Sequence, residues 1–463
     1  MNDSRSTEES TTVLDTRPHP YLPNSTPHAV RDMLDHIGVA GFDDLFVDVP
    51  AGLRQARPFG LPPALRSEAE LVRHVRKLLR RNETTDDVLN FCGAGTYLHD
   101  VPSVCTEVAG RAEFVSAYAG EPYEDHGKHQ ALFEYQSVMA ELLEMDVVSI
   151  PTYDGYQAAG TALRMAARIT GRRRAVVLGA VLPDRRSRIG EYVRPALEHL
   201  EYLPGELDLS DLRATLDDTC AAVLVELPDA HGLVDVDLSE VAAVAHAVGA
   251  IVVVAVDPIA LGLIGAPARF GADIVCGDLQ SLGNGLHFGG AHAGLLAVHD
   301  DPTFVYELPT RLYGIAPTAT SGEIGFVDVA YERTSLAARE NGVEWIGTAS
   351  ALSGIVAGTF LALHGPSGIA ELSTSIFDRT SYAVDRLDAL AGFSVRDAHR
   401  PHFREFVLHV ERPGSTAQGV LHALAADGIF GGVALSDRDI LVCVTETHSQ
   451  ADIDSLATAL ENS

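Results

Sequence analysis

The sequence predicts an α/β protein: a mostly parallel sheet in a large domain, followed by a smaller C-terminal α/β domain. Three observations carry this. Short β-branched runs recur at residues 175–181 (AVVLGAV), 221–226 and 251–256, with helical patterns between them. That alternation builds parallel sheets with right-handed crossovers. The run IVVVAV at 251–256 is six apolar residues, five of them β-branched, as expected of a strand covered on both faces. Near residue 325 the pattern changes to a helical bridge and two alternating strands.

Composition narrows the function classes. A chain of 463 residues with 46% hydrophobic residues can bury a large core and form more than one domain. Its net charge of -30, with no basic block to offset it, argues against binding nucleic acid or anionic lipid. No apolar stretch reaches about 18 uninterrupted residues, so no membrane span is expected. The polar start, MNDSRSTEESTTVLDTRPHP, lacks an apolar signal core, and a cytoplasmic setting is expected. Cys92, Cys105, Cys220, Cys276 and Cys443 are too dispersed for a disulfide framework or a close zinc pair, so no metal site is expected.

Taken in order, residues 1–20 read as a flexible N-terminus and 21–90 as a helical arm. A helix is expected at 26–37, and Ser67 followed by Glu70 is a capping-box signature for another running to Leu79. A large domain follows at 91–325. Its segment NFCGAGTYLHD (90–100) has a Gly-x-Gly turn beside Thr96, Tyr97, His99 and Asp100, open either to a purely structural role or to ligand contact. Residues 130–143 and 156–169 read as helices and MDVVSI (145–150) as a strand. Tyr153, Asp154 and Gly155 therefore sit at a strand-to-helix junction, where free amides could hold a phosphate or where the helix is simply capped. A helix is expected at 192–200. Residues 326–463 form the bridge and small domain, with helices at 330–363, 376–391 and 416–426 and strands REFVLHV (404–410) and ILVCVTE (440–446).

The stretch 251–290 organises the chain. Asp257 stands where the 251–256 run stops, and Pro258 ends the ladder because it has no amide hydrogen to give. Residues 272–276 read as another strand, and 277–290 holds five glycines. Ligands of open α/β sheets sit beyond the carboxyl ends of strands, so Asp257 and 277–290 line one candidate crevice. Asp257 either caps its loop or holds the cationic ring nitrogen of a cofactor such as pyridoxal phosphate. Such a cofactor also requires a Schiff-base lysine, and the chain has only Lys77 and Lys128, both far upstream. Cys276 and Ser281 could be called nucleophiles by location, but neither has an identified activating base.

Several segments in order, NFCGAGTYLHDVPSV, QALFEYQSVMAELLEMDVVSIPTYDG, VDPIALGL, ADIVCGDLQSLGNGLHFGG, LPTRLYG and ILVCVTETHSQADIDSL, resemble the glycine cleavage system P-protein. This family is also called glycine dehydrogenase (decarboxylating), and the resemblance is to the α-type, or first, subunit of its split form. It implies the fold-type-I pyridoxal-phosphate-dependent transferase architecture. It sets Asp257 at the ring-nitrogen aspartate position and Ser281 where the catalytic subunit has its lysine. The implied partners are a lysine-bearing β-type subunit and a lipoylated carrier protein, in a dimer or heterotetramer. The implied reaction is amino-acid decarboxylation with aminomethyl transfer, the cofactor being bound in the complex without a covalent lysine from this chain. Tyr97, His99, Asp154 and Asp257 are the expected cofactor-side residues. The sequence departs from the family at 339–350, RENGVEWIGTAS, where α-type subunits read close to REKATSNICTNQ. Glu344 and Trp345 mark this altered part of the expected substrate pocket. The departure keeps two alternatives open: a stand-alone diverged enzyme acting on an amino acid or amine-containing metabolite, or a noncatalytic regulatory subunit.

Overall fold

The computed structural model describes residues 21–54, 60–115, 126–203, 209–289, 292–329, 331–347 and 349–463. They fall into two compact units, one ending at Asn82 and the other spanning Glu83–Ser463. In the first, Thr26 caps the helix Pro27–Ile37 by accepting from the Ala29 amide, and Gly38 ends it in the left-handed region at φ 84°. Ser67 and Glu70 form the reciprocal capping box of the helix Glu68–Leu79. The expectation for residues 1–20 lies outside the described residues.

The second unit is built on a seven-stranded sheet. Its strands are β1 (Val147–Val148), β2 (Arg174–Leu178), β3 (His199–Leu203), β4 (Cys220–Leu227), β5 (Ile251–Val256), β6 (Ile274–Asp278) and β7 (Gly294–Val298), in the spatial order β1-β7-β6-β5-β4-β2-β3. Pairings from β3 through to β6 are parallel, whereas β7 runs antiparallel to both β6 and β1. The two-residue period of a strand divides the core. Val223, Val225, Val252 and Val254 pack on one face with residues such as Val241, Ala245 and Phe360. Leu224, Val253, Ile274 and Cys276 pack on the other, with Ala158, Ala162 and Ala166 of the helix Gly155–Thr170. Alanine on that helix lets it approach the sheet closely.

A second, antiparallel sheet holds β8 (Phe393–Val395), β9 (Glu405–Val410), β10 (Val433–Ala434) and β11 (Asp439–Cys443) in the order β8-β9-β11-β10. Its buried residues, among them Phe406, Leu408, Ile440 and Val442, pack with Val420 and Leu424 of the helix Ala417–Ala426 and with Ile453 and Leu456 of the helix Gln450–Asn462. Leu89–Asn90 pairs with Ile429–Phe430, which anchors the 90–100 segment beside this sheet.

Three local expectations are corrected. Instead of a helix at 192–200, there is a helix Pro183–Val193 with Pro183 in its first turn, then the strand β3. β3 is a sheet edge with half-exposed side chains, so its apolar pattern is weak. The expected helix at 376–391 is present as the end of the long helix Ala351–Asp388, which is interrupted at Gly365 and Pro366, whereas the expected bridge helix at 330–363 is helical only from Ala351 and is preceded by the 3-10 turns Tyr331–Arg333 and Ser335–Asn341. Pro366 cannot donate to the ladder, and Gly365 adopts φ 59°, ψ -178°. The hairpin Tyr313–Pro317 with Ile324–Asp328 was not anticipated. By length and composition alone the Ala351–Asp388 helix could cross a membrane, but it buries Ile355, Val356, Phe360, Ile369 and Ile376 in the protein core.

Candidate functional site

Three neighbouring strands deliver carboxylates to one end of the sheet: Glu226 near the end of β4, Asp257 just after β5, and Asp278 at the end of β6. All three line a cavity together with Tyr97, Tyr156, Arg185, Gln280, Ser281, Arg404 and Glu405. This is the crevice expected at the carboxyl ends of a parallel sheet. The sequence logic that singled out Asp257 applies equally to Glu226, since both end buried β-branched runs.

Asp257 does two things. Its Oδ1 accepts the Ile259 amide at 3.0 Å, tying down the loop. Its Oδ2 lies 2.5 Å from Arg404 Nη2. Arg404 is 1% exposed, and its guanidinium carbon is 4.1 Å from the centroid of the Tyr97 ring. Burial works against the guanidinium charge, but Asp257 beside it holds the proton on and leaves its pKa raised. Its Nε, Nη1 and Nη2 make no hydrogen bond among the described residues, so the contact with Asp257 is an ion pair. Arg404 sits just before β9 at φ 67°, an uncommon conformation for a side-chain-bearing residue. Its amide donates to Thr380 Oγ1 at 3.2 Å, fastening it to the long helix.

Tyr97 is held on both sides. Gln280 Oε1 accepts its amide and Gln280 Nε2 donates to its carbonyl, each at 3.0 Å, and Tyr97 Oη donates to Glu405 Oε2 at 2.9 Å. Burial and then the Glu405 charge push the Tyr97 phenol well above its ordinary value. Glu405 Oε1 accepts the Ala94 amide at 2.6 Å, yet burial still raises its carboxyl. Across the cavity, Arg185 Nη1 is 3.0 Å from Glu226 Oε2 and Arg185 Nε donates to Tyr156 Oη at 2.9 Å. Burial raises Glu226 despite that pairing.

The N-terminus of the helix Gly155–Thr170 faces this cavity, and its amides are already taken. Asp154 Oδ1 accepts from Tyr156 and Gln157 at 3.0 and 2.8 Å, and Asp278 Oδ2 accepts from Gly155 at 2.8 Å. His292 lies beside them, its Nδ1 3.0 Å from Asp278 Oδ2 and its Nε2 2.9 Å from Thr96 Oγ1. Contact with Asp278 raises the His292 pKa against the opposing effect of burial. Asp154 therefore caps the helix.

His99 is outside the cavity lining. Its Nδ1 lies 2.8 Å from Glu446 Oε2, while Glu446 Oε1 accepts the Asp100 amide at 2.8 Å. Burial alone would raise Glu446, but His99 and the Asp100 amide hold it down at about 2. Glu344 and Trp345 are also outside the lining. The Glu344 carboxylate accepts from Tyr192 Oη and Thr161 Oγ1 and lies 3.3 Å from Arg164 Nε, while Trp345 is half-exposed. Cys276 is fully buried, and burial pushes its thiol far above the ordinary range. Ser281 Oγ donates a long hydrogen bond to Asp257 Oδ1 at 3.4 Å. Arg185, Arg404, Glu405 and His292 carry no spacing signal. The sequence clue to Arg404 and Glu405 is charge at the mouth of the apolar strand REFVLHV.

A mostly parallel sheet with helices on both faces, a crevice at its carboxyl edge and a small α/β unit packed beside it define the fold-type-I pyridoxal-phosphate-dependent transferase class. A Burkholderia pseudomallei sphingosine-1-phosphate lyase shares the fold with a TM-score of 0.64 at 14% identity, over 89% of this chain and 94% of that one. More particularly, the chain belongs to the glycine cleavage system P-protein family, whose model matches residues 19–460. It is 36% identical over 448 residues to the probable glycine dehydrogenase (decarboxylating) subunit 1 of Carboxydothermus hydrogenoformans, covering 95% of this chain and 99% of that one. Against the same-named protein of Geotalea uraniireducens the identity is 38% over 453 residues, with 95% and 99% covered. A crystal structure of inhibitor-bound glycine decarboxylase (P-protein) of the glycine cleavage system superimposes with a TM-score of 0.83 at 31% identity, over 94% of this chain and 98% of that one.

The residues of this crevice do not fit the cofactor of the fold class. The cavity holds about 80 Å3, room for a handful of waters, whereas small-molecule clefts run to a few hundred Å3. Among the described residues, its lining contains no lysine. The aspartate suited to a ring nitrogen is paired with Arg404, and the amides suited to a phosphate are bonded to carboxylates.

Proposed function

We propose that this chain is the first, α-type subunit of a glycine-decarboxylase-like complex, one that brings no Schiff-base lysine and works with a lysine-bearing β-type partner. The single observation that carries this is Ser281, which faces the strand-end aspartate Asp257 in a cavity that, among the described residues, is lined by no lysine. Lys128 is buried in the helix His126–Leu143, away from the cavity lining. The relatives' designation as subunit 1 supports a partner that supplies the rest.

In the complex, the lysine-bearing partner would hold pyridoxal phosphate, which would supply an electron sink for loss of carbon dioxide from the amino acid. The remaining aminomethyl group passes to a lipoylated carrier. This chain's own part is structural complementation: it gives the partner a folded counterpart of the same architecture.

Carbon dioxide release from labelled glycine, with a lipoylated carrier present as acceptor of the aminomethyl group, tests the reading by comparing the chain alone, the lysine-bearing partner alone and the two together. Activity is expected only with both. Glycine-dependent turnover by this chain alone would overturn it.

A further inference from the structure

Arg404 is surrounded as a pyridinium ring would need to be. It has an aromatic face against it, that of Tyr97 at 4.1 Å, and a strand-end carboxylate at its edge, that of Asp257 at 2.5 Å. Asp278, which lines the cavity, and Asp154 beside it bond the first amides of the helix Gly155–Thr170, supplying the negative charge that a phosphate would bring. We propose that this pocket is filled from within: Arg404 stands in for the cationic ring, Asp154 and Asp278 stand in for the anionic group, and the chain takes up no pyridoxal phosphate.

Electrostatics favours the substitution. A free phosphate monoester would have to displace two carboxylates that already satisfy the helix amides, in a cavity also lined by Glu226, Asp229 and Glu405. A pyridinium would have to break a buried ion pair and leave Arg404 without a counter-charge. Arg404 also belongs to the segment that leads into β9, while Asp257 ends β5 and Tyr97 comes from the 90–100 loop. The guanidinium therefore braces the small unit against the large sheet, so the pocket acts as a fixed joint. This holds whether or not the chain works with a lysine-bearing partner, and its failure is read on the isolated chain without any assay of turnover.

The test is equilibrium dialysis of the full chain against pyridoxamine phosphate, which has the ring and the phosphate but no aldehyde to react with stray amines. No saturable uptake is expected up to millimolar concentration. One-to-one binding in the micromolar range would overturn the proposal. In parallel, Arg404→Ala should lower the melting temperature by several degrees. Millimolar guanidinium or 4-methylpyridinium should restore at least half of that loss, and tetramethylammonium at equal ionic strength should not. Equal recovery with all three cations, or none with any, would remove the stand-in role of Arg404. If Arg404→Ala does not fold, the dialysis of the unaltered chain still decides whether the pocket is closed.

Discussion

Arg185 and Glu226 face each other across the cavity at 3.0 Å, with their side chains only 15% and 7% exposed. Breaking such a pair from one side leaves a buried charge uncompensated, at a cost of about 3–5 kcal/mol. Arg185→Met should lose stability of that order at pH 8 in urea unfolding. Burial already raises the Glu226 carboxyl in the intact protein, and removing Arg185 raises it further. A carboxyl whose folded pKa lies above its unfolded one takes up a proton preferentially in the folded state. Lowering the pH through that raised value therefore favours folding, and the variant should recover part of its loss near pH 5. An equal deficit at both pH values would contradict this.

The His99–Glu446 pair carries the opposite pH dependence. Glu446 titrates at about 2 in the folded chain, below its ordinary value of 4.5. Its stabilisation is present above the ordinary value and is lost as pH falls through the folded one. Unfolding free energy should decline between roughly pH 4.5 and 2, and Glu446→Gln should flatten that decline while lowering stability at pH 7. An unchanged acid slope in Glu446→Gln would assign the decline to other carboxylates.

How far the fold was legible follows from where each residue gets its instructions. β4 and β5 are buried on both faces, so their apolar runs stand out in the sequence, and Asp257 is marked by ending such a run. β3 is a half-exposed edge whose composition carries no such mark. The cavity was legible on the sheet side alone. Arg404 and Glu405 arrive from the small unit through tertiary packing that no local spacing encodes. Asp154 shows the same limit, because an acidic residue before a helix reads alike as a cap or as part of an anion site. Only the hydrogen bonds to Tyr156 and Gln157 separate the two.

Gly232 controls how closely the small unit approaches. It has φ 84°, and a Cβ there would lie 1.7 Å from the Glu405 carbonyl oxygen. The left-handed conformation alone costs a side-chain-bearing residue about 1–2 kcal/mol, and the clash with rigid backbone adds to that. Gly232→Ala should therefore destabilise by more than about 2 kcal/mol and should increase hydrogen exchange at 403–406, where Phe403 donates its amide to the Gly232 carbonyl. A loss below that size with unchanged exchange would mean the loop shifts freely.

Glu344 ties the helix Gly155–Thr170 to the helix Pro183–Val193. Expected in a substrate pocket, it is buried against Arg164 and Arg168 and accepts from Tyr192 and Thr161. Glu344→Ala leaves the charge of Arg164 and much of that of Arg168 uncompensated and should cost about 3–5 kcal/mol, although Glu307 still pairs with Arg168. Glu344→Gln leaves the same charges uncompensated but retains an acceptor for both hydroxyls, so it should recover about 1–2 kcal/mol of that cost. Burial, followed by the bond to Glu344, raises the Tyr192 phenol, so Glu344→Gln should also lower the ultraviolet titration midpoint of that tyrosine. In the two-subunit assay both variants should leave the glycine KM unchanged at temperatures where they remain folded. A KM shift with unaltered stability would return Glu344 to the substrate site.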